Sequence, residues 1–426
     1  MSPLPALTDL YEASRTATWE GGRRVDVHLD IERSVLDWTT PTTHGLIVLE
    51  LMDTQNPSTL TVRGDSENLR RVLRNVLIMD GVLRSCPQEH HELGQFRLSS
   101  SSTAATLAIV REWIDRIVEG VTIVEAIEQG RADTSTHVLR GFWWDRKANF
   151  GDAVGPWLAA KLTQKPVVNV RATKDNPVPR EGRAIALVGS IIHMINRPDV
   201  DIWGAGLMRP LSEKSLLRNL TGVRVHAVRG HLTRHELRTK LDWDVPEVLG
   251  DPALLLSRHY TANLEPAGSS KIAFVPHMSH RPSFKNINND VLDVVDVRED
   301  LRIVVDKIAS AKACVSTSLH GLIVAQSYGV PWVWLNITDA ELGGGDFKFN
   351  DFFSTLEGEV PASMKVSRND LAELDILEVA RQARLPDLAI DLTRLEEAFP
   401  GISPGTPIKP PKSSILRKIK AYFPRG

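Results

Sequence analysis

The stretch Ala313-Cys314-Val315-Ser316-Thr317-Ser318-Leu319-His320-Gly321-Leu322-Ile323-Val324-Ala325 decides the fold. A short apolar run suited to a buried strand meets three hydroxyls, then a histidine and a glycine, then apolar residues at helical density. Strand, turn and helix in that order form the repeating unit of a parallel sheet covered by helices. A histidine at a helix N-terminus sits where free N–H groups welcome an anion and disfavour an imidazolium, so His320 is held near a ligand. No Asp, Glu, Lys or Arg occurs from Ala313 to Thr338, a length that spans a bilayer on paper. Ser316, Thr317, Ser318, His320, Gln326 and Pro331 punctuate it, so it is expected to fold as strand, turn, helix and strand.

Outward from this unit the same alternation continues. Strands are expected at 138–144, 166–170, 184–188, 200–204 and 223–228, with helices opening at Asp152, after Ser212 and after His231. A second set follows, with strands at 271–275, 313–316 and 331–335, and helices at 298–311, from His320, and near 370–384 and 392–398. This is an α/β fold, with halves of about 136–266 and 267–400 facing a cleft. Residues 1–135 differ. They carry 20 acidic side chains against 13 arginines and no lysine, and read as an α+β accessory module of unassigned role. It has strands at 25–31, 46–51 and 60–62 and helical spacing at 69–77 and 107–117. Residues 401–426 form a Pro/Gly/Ser linker and a basic amphipathic tail, with Lys412, Arg417, Lys418, Lys420 and Arg425 among Ile415, Leu416, Ile419, Tyr422 and Phe423. Such a tail suits an anionic membrane surface or serves only solubility.

Composition narrows the function. Of 426 residues 42% are apolar, and 51 basic against 53 acidic side chains leave a net charge of −2, so no nucleic-acid partner is indicated. Two cysteines, Cys86 and Cys314, make neither a disulfide framework nor a four-ligand zinc site, which fits a reducing cytoplasm and no metal. Asp9, Glu12, Arg15 and Glu20 interrupt the first twenty residues, so no secretory signal is expected.

Several strand ends carry chemistry. In Asn149-Phe150-Gly151-Asp152, Asp152 either caps the following helix or faces the ligand crevice of an open sheet. Gly189-Ser190 and Trp203-Gly204-Ala205-Gly206 make backbone room, without the spacing of a dinucleotide fingerprint. In Val228-Arg229-Gly230-His231, an arginine beside a helix N-terminus is a receptor for phosphate or carboxylate; Arg234 is either a second contact or a solvated charge. Asp251, fixed extended by Pro252, caps locally or accepts a sugar hydroxyl. Pro276-His277 ends a strand of the second half, with His280 nearby, and Gly343-Gly344-Gly345 delivers Lys348 between aromatic rings as a phosphate contact or a surface lysine.

The ordered set of these motifs, from Asn149 to Lys348, resembles the polysaccharide pyruvyl transferase family. The resemblance covers roughly residues 138–360. It implies a GT-B-like pair of Rossmann-like halves, phosphoenolpyruvate as donor and a glycan or lipid-linked sugar as acceptor, with a pyruvate ketal as product and no cofactor besides the co-substrate. It carries the donor contacts onto Arg229, His320 and Lys348, beside which Asn149, Gly206, Arg234, His277, Ser318 and Gly321 are the further substrate-binding candidates. Many members have arginine where this chain has Ser318, so one cationic contact is missing or supplied elsewhere. The chemistry then assigns His320 as general acid, because imidazole titrates near neutrality, with Asp152 or Asp251 orienting or deprotonating the acceptor hydroxyls. A nucleotide-sugar glycosyltransferase of the same architecture and a non-catalytic glycan-binding relative are the rival expectations. The expected location is the cytoplasm, peripheral to the membrane if the tail binds there, and homo-oligomers are compatible with the sequence.

Overall fold

The computed structural model describes residues 7–17, 24–32, 35–42, 45–52, 59–64, 92–97 and part of 102–121, then 139–264, 271–284, 291–358 and 363–400 apart from 172–181 and a few single positions. The chain divides into two compact units, residues 1–137 and, for the most part, 138–405. The helical spacing at 69–77 and the basic tail from residue 401 lie outside the described residues.

In the first unit helix α1 (Leu7–Arg15) accompanies an antiparallel sheet of β1 (Asp26–Asp30), β2 (Val35–Thr42), β3 (Gly45–Met52), β4 (Thr59–Gly64) and β5 (Glu92–Arg97), in that order. The register opposes Leu36 to Leu51, Trp38 to Leu49 and Leu49 to Val62. All of these are buried, so the period of two places one apolar face inward. The Trp38 indole N–H donates to Ser14 Oγ at 3.0 Å, which ties α1 to the sheet. β2 and β5 escape the alternation pattern because Asp37 and Thr39–Thr40 dilute the one and Gly94–Gln95 the other.

The second unit holds two five-stranded sheets. One contains β6 (Leu139–Phe142), β7 (Val167–Asn169), β8 (Ala184–Ala186), β9 (Val200–Trp203) and β10 (Arg224–Ala227), in the order β10-β9-β8-β6-β7. The other contains β11 (Ile272–Val275), β12 (Leu292–Val294), β13 (Ala313–Ser316), β14 (Trp332–Ile337) and β15 (Ser363–Val366), in the order β12-β11-β13-β14-β15. β6, β8, β9 and β10 pair parallel, as do all five strands of the second sheet. β8, β9, β13 and β14 are buried at every residue, as strands covered on both faces must be. The crossing helices include α2 (Phe150–Thr163), α3 (His231–Leu241), α4 (Leu301–Ala309), α5 (Leu319–Ser327) and α6 (Phe347–Phe353), followed by α7 (Ile376–Ala380) and α8 (Leu392–Glu397).

The expected alternation is therefore present, with local differences. The helix expected after Ser212 is only a 3-10 turn, Leu216–Asn219, and the 370–384 segment divides into a 3-10 turn at Arg368–Ala372 and α7. The last helix returns to the first sheet: the Trp203 indole N–H donates to Leu395 O at 2.8 Å, and the Trp203 and Phe399 rings meet edge to face at 4.6 Å. No helix of the described residues is long and apolar enough to cross a membrane.

Candidate active site

Counted within each half, both parallel sheets have the strand order 2-1-3-4-5. Connections leave the first and third strands in opposite directions, so the loops beyond their carboxyl ends part and open a crevice. In the first sheet that place lies between β6 and β8, followed by Asn149–Asp152 and Gly189-Ser190. In the second it lies between β11 and β13, followed by His277 and Thr317–His320. Asn149, Asp152, His277, Ser318 and His320 thus fall on the two switch points, whereas Gly206, Arg229, Arg234, Asp251 and Lys348 come from other segments.

The turn before α2 is capped by Asn149 rather than by Asp152. Asn149 Oδ1 accepts the Gly151 N–H at 3.0 Å, and its carbonyl accepts the Asp152 and Ala153 N–H groups at 3.1 and 3.3 Å. Asp152 is thereby released from capping, and its carboxyl leans over the turn after β8: a Cβ added to Gly189 would sit 3.7 Å from Asp152 Oδ1. Gly151 has a different task. A Cβ there would lie 2.1 Å from His320 Nδ1, so only glycine lets the imidazole rest across the turn.

His320 is the second residue of α5. Its Nε2 is 3.8 Å from Asp251 Oδ2, and neither atom has a hydrogen-bond partner although both are buried. Asp251 is anchored through its other oxygen, which accepts the Ala253 N–H at 3.0 Å. On the neighbouring strand a relay fixes two more imidazoles. The His277 N–H donates to Thr317 Oγ at 2.8 Å, Thr317 Oγ lies 3.0 Å from His280 Nδ1, and His280 Nε2 lies 2.6 Å from Ala340 O. A carbonyl can only accept, so His280 carries its proton on Nε2 and receives the threonine hydroxyl at Nδ1. His277 Nδ1 accepts the Ser279 N–H at 3.2 Å, which leaves its proton on Nε2.

Arg229 is wholly buried. Nε donates to Asp351 Oδ2 at 2.9 Å, Nη1 to Ser190 Oγ at 2.6 Å and Nη2 to Leu207 O at 2.7 Å. The guanidinium passes over Gly206, where an added Cβ would come within 2.3 Å of Cζ. Asp351, from α6, also accepts the Thr233 N–H at 2.7 Å and the Thr233 hydroxyl at 2.6 Å. The anion receptor foreseen at Arg229 and the N-terminus of α3 is thus filled by the protein's own carboxylate. Gly230 permits it, since a Cβ there would meet Asp351 O at 1.8 Å. The glycine loop ahead of α6 is seated similarly: Gly344, at φ +87, leaves its Cβ position 2.1 Å from Met208 O. Lys348 is carried in with it, 7% exposed, its ammonium 5.4 Å from the centre of the Phe349 ring and, among the described residues, without an ion-pair partner.

Burial sets the electrostatics. His320 is pushed down to about 3 by burial, then by the positive charges of Arg229 and Lys348 and by His277. His277 falls to about 4 through burial, Lys348 and His280. Lys348 falls to about 8 through burial and Arg229, with Asp152 opposing. Asp152 rises to about 7 through burial and Asp145, with Lys348 opposing. Asp251 rises to about 6, chiefly through burial. Two neutral imidazoles, one cation and two carboxyls near neutrality are equipped to hold an anion and to move protons at physiological pH.

Not every candidate joins this group. Arg234 is spent on the Val245 and Pro246 carbonyls at 3.3 and 3.2 Å, with Glu247 at 3.8 Å. Gly321 packs α5 onto the sheet, its Cβ position 2.4 Å from Ser316 Oγ and 3.0 Å from Val275 Cγ1. Ser318 precedes α5 and is 4% exposed, its N–H donating to Ser316 Oγ at 2.9 Å. Asp351, Ser190 and Thr317 were not assigned roles from sequence. The one local signal for Asp351 is its place three residues after Lys348, one turn along the same helix.

The family model for polysaccharide pyruvyl transferase matches residues 149–339, which contain both switch points. The match makes that segment similar to a polysaccharide pyruvyl transferase domain, which supports an enzyme and implies a glycan acceptor. A similar protein is the uncharacterized protein L143 of Acanthamoeba polyphaga mimivirus, 28% identical over 257 residues that cover 58% of this chain and 84% of the relative.

Proposed function

We propose that the chain transfers the pyruvyl group of phosphoenolpyruvate to two hydroxyls of a sugar in a glycan or lipid-linked precursor, forming a ketal and releasing phosphate. The observation that carries this is the meeting of His320 and Asp152 from the two switch points with Lys348 of α6 acting on both, the Lys348 ammonium and His320 Nε2 lacking hydrogen-bond partners among the described residues. In this reading the halves form a GT-B-like pair, with the donor at their shared face.

The donor brings a phosphate and a carboxylate. Lys348 binds one of them as a charge-assisted partner worth about 1.5–3 kcal/mol. His277, with its proton held on Nε2, supplies a neutral N–H donor in place of the arginine that the resemblance leads one to expect at Ser318. Arg229 serves as a buried positive field and as the brace of α6, with Asp351 as its counter-ion. His320 delivers a proton from Nε2 to the methylene carbon, and the Asp251 carboxyl 3.8 Å away favours the imidazolium that carries it. An acceptor hydroxyl adds to the neighbouring carbon while Asp152 takes its proton. Phosphate leaves, and the second hydroxyl closes the ketal as its proton passes to His320, which restores the acid. No step calls for a resident cofactor. The basic tail of residues 401–426 gives the chain a weak hold on an anionic bilayer at its cytoplasmic face.

The test is phosphate release from phosphoenolpyruvate with sugars and lipid-linked sugars as acceptors, followed against pH. kcat/KM for the donor reports the free enzyme. Because His320 is neutral in the free enzyme and must gain a proton while Asp152 must be ionised, it should be level on the acid side, fall as pH rises through about 7 and fall more steeply beyond about 8, where Lys348 loses its charge. The break near 8 belongs to the interacting groups together. Lys348→Met should remove the steeper fall and raise the donor KM about 10- to 100-fold, the loss of one charge-assisted bond. Thermal stabilisation by a nucleoside diphosphate but not by phosphoenolpyruvate would overturn the reading in favour of a nucleotide-sugar donor.

A further inference from the structure

A groove of about 770 Å³ runs along α3 and the chain that follows it, lined by His231, Arg234, His235, Arg238, Trp243 and Asp244 among others. Helical spacing puts residues 231, 234, 235 and 238 on one face. Asp242 makes the opposite wall possible. It ends the helix in the left-handed conformation, at φ 56, and turns the chain so that Trp243 and Asp244 lie back beside the helix. Part of the Trp243 side chain packs on the first core and part remains accessible.

The lining selects a ligand class. Arg234 and Arg238 are balanced by Asp242 and Asp244, so the groove has no net pull on a phosphate or a nucleotide. Arg234 is immobilised by the Val245 and Pro246 carbonyls. The side chains of His231, His235 and Arg238 make no hydrogen bond or ion pair among the described residues. Planar donors and acceptors, unpaired and set beside an indole, match the alternating hydroxyls and apolar ring face of a sugar.

Position links the groove to the chemistry. The His231 N–H donates to Ser354 Oγ at 2.9 Å, and that hydroxyl donates to Asp351 O at 2.6 Å, so the groove begins two residues beyond Arg229. From there α3 leads away for about 16 Å at 1.5 Å per residue.

We propose that this groove is a subsite for neutral sugar residues of the acceptor glycan, holding the polymer beyond the sugar that receives the ketal. The proposal rests on the glycan-acceptor reading, and direct binding tests it apart from turnover. The full-length chain is run by affinity electrophoresis through gels containing soluble galactan or mannan. The wild type is expected to be retarded. The double variant His235→Ala/Arg238→Ala, whose positions are exposed, should lose at least tenfold in apparent affinity with an unchanged melting temperature. A wild type retarded by neither polymer overturns the proposal, and so does a double variant retarded as strongly as the wild type. Phosphate release by the wild type with a monosaccharide acceptor judges the pyruvyl-transfer reading separately.

Discussion

His320→Gln is expected to leave a folded chain that binds phosphoenolpyruvate and turns over about a hundred- to ten-thousandfold more slowly, the range for removal of a general acid. Glutamine keeps a polar group over Gly151 but cannot carry a mobile proton. The effect has a second signature. In the unliganded site burial, Arg229 and Lys348 hold His320 near 3, so the ring is neutral at pH 7 and has no proton to give. Negative charge arriving with the donor favours the imidazolium and raises that value. Donor binding at neutral pH should therefore draw a proton from the buffer. Calorimetry in two buffers of different ionisation enthalpy measures the uptake, which should disappear in His320→Gln. Wild-type turnover by this variant, or uptake that persists in it, would remove His320 from the mechanism.

Arg229→Ala is expected to act on the fold first. It leaves Asp351 as an uncompensated charge in a fully buried place, a change that costs about 3–5 kcal/mol. Asp351 also holds Thr233 at the start of α3, so the connection between α3 and α6 loosens and Lys348 loses its fixed position. The melting temperature should fall by many degrees, and donor binding should weaken with it. Arg229→Met combined with Asp351→Leu removes both charges and should recover much of the stability. The alternative role gives the opposite pattern: if Arg229→Ala melts like the wild type but no longer binds donor, the guanidinium is a ligand and not a brace.

Much of the site is legible in the chain order. Ser316–Gly321 announces a strand feeding a helix, and both the capping turn at Asn149–Asp152 and the glycines before Lys348 are local signals. Asp152 read as the cap from its place at the start of the helix, and only the coordinates show that Asn149 meets the Gly151 N–H instead. Arg229 shows the limit more sharply. Its position beside a helix N-terminus suggested an anion site, and an anion is there, but it belongs to Asp351, 122 residues away. Nothing in the local pattern of either residue names the other.

By itself the sequence determined the alternation of strands and helices, the glycines that let groups approach, and the supply of imidazole, ammonium and carboxyl groups at strand ends. These follow from side-chain size, periodicity and capping, which act over a few residues. Tertiary structure decided which groups meet: His320 with Asp251, Arg229 with Asp351, and Asp152 left free. It also decided their protonation, because burial and neighbouring charge arise only when distant segments pack together and exclude water.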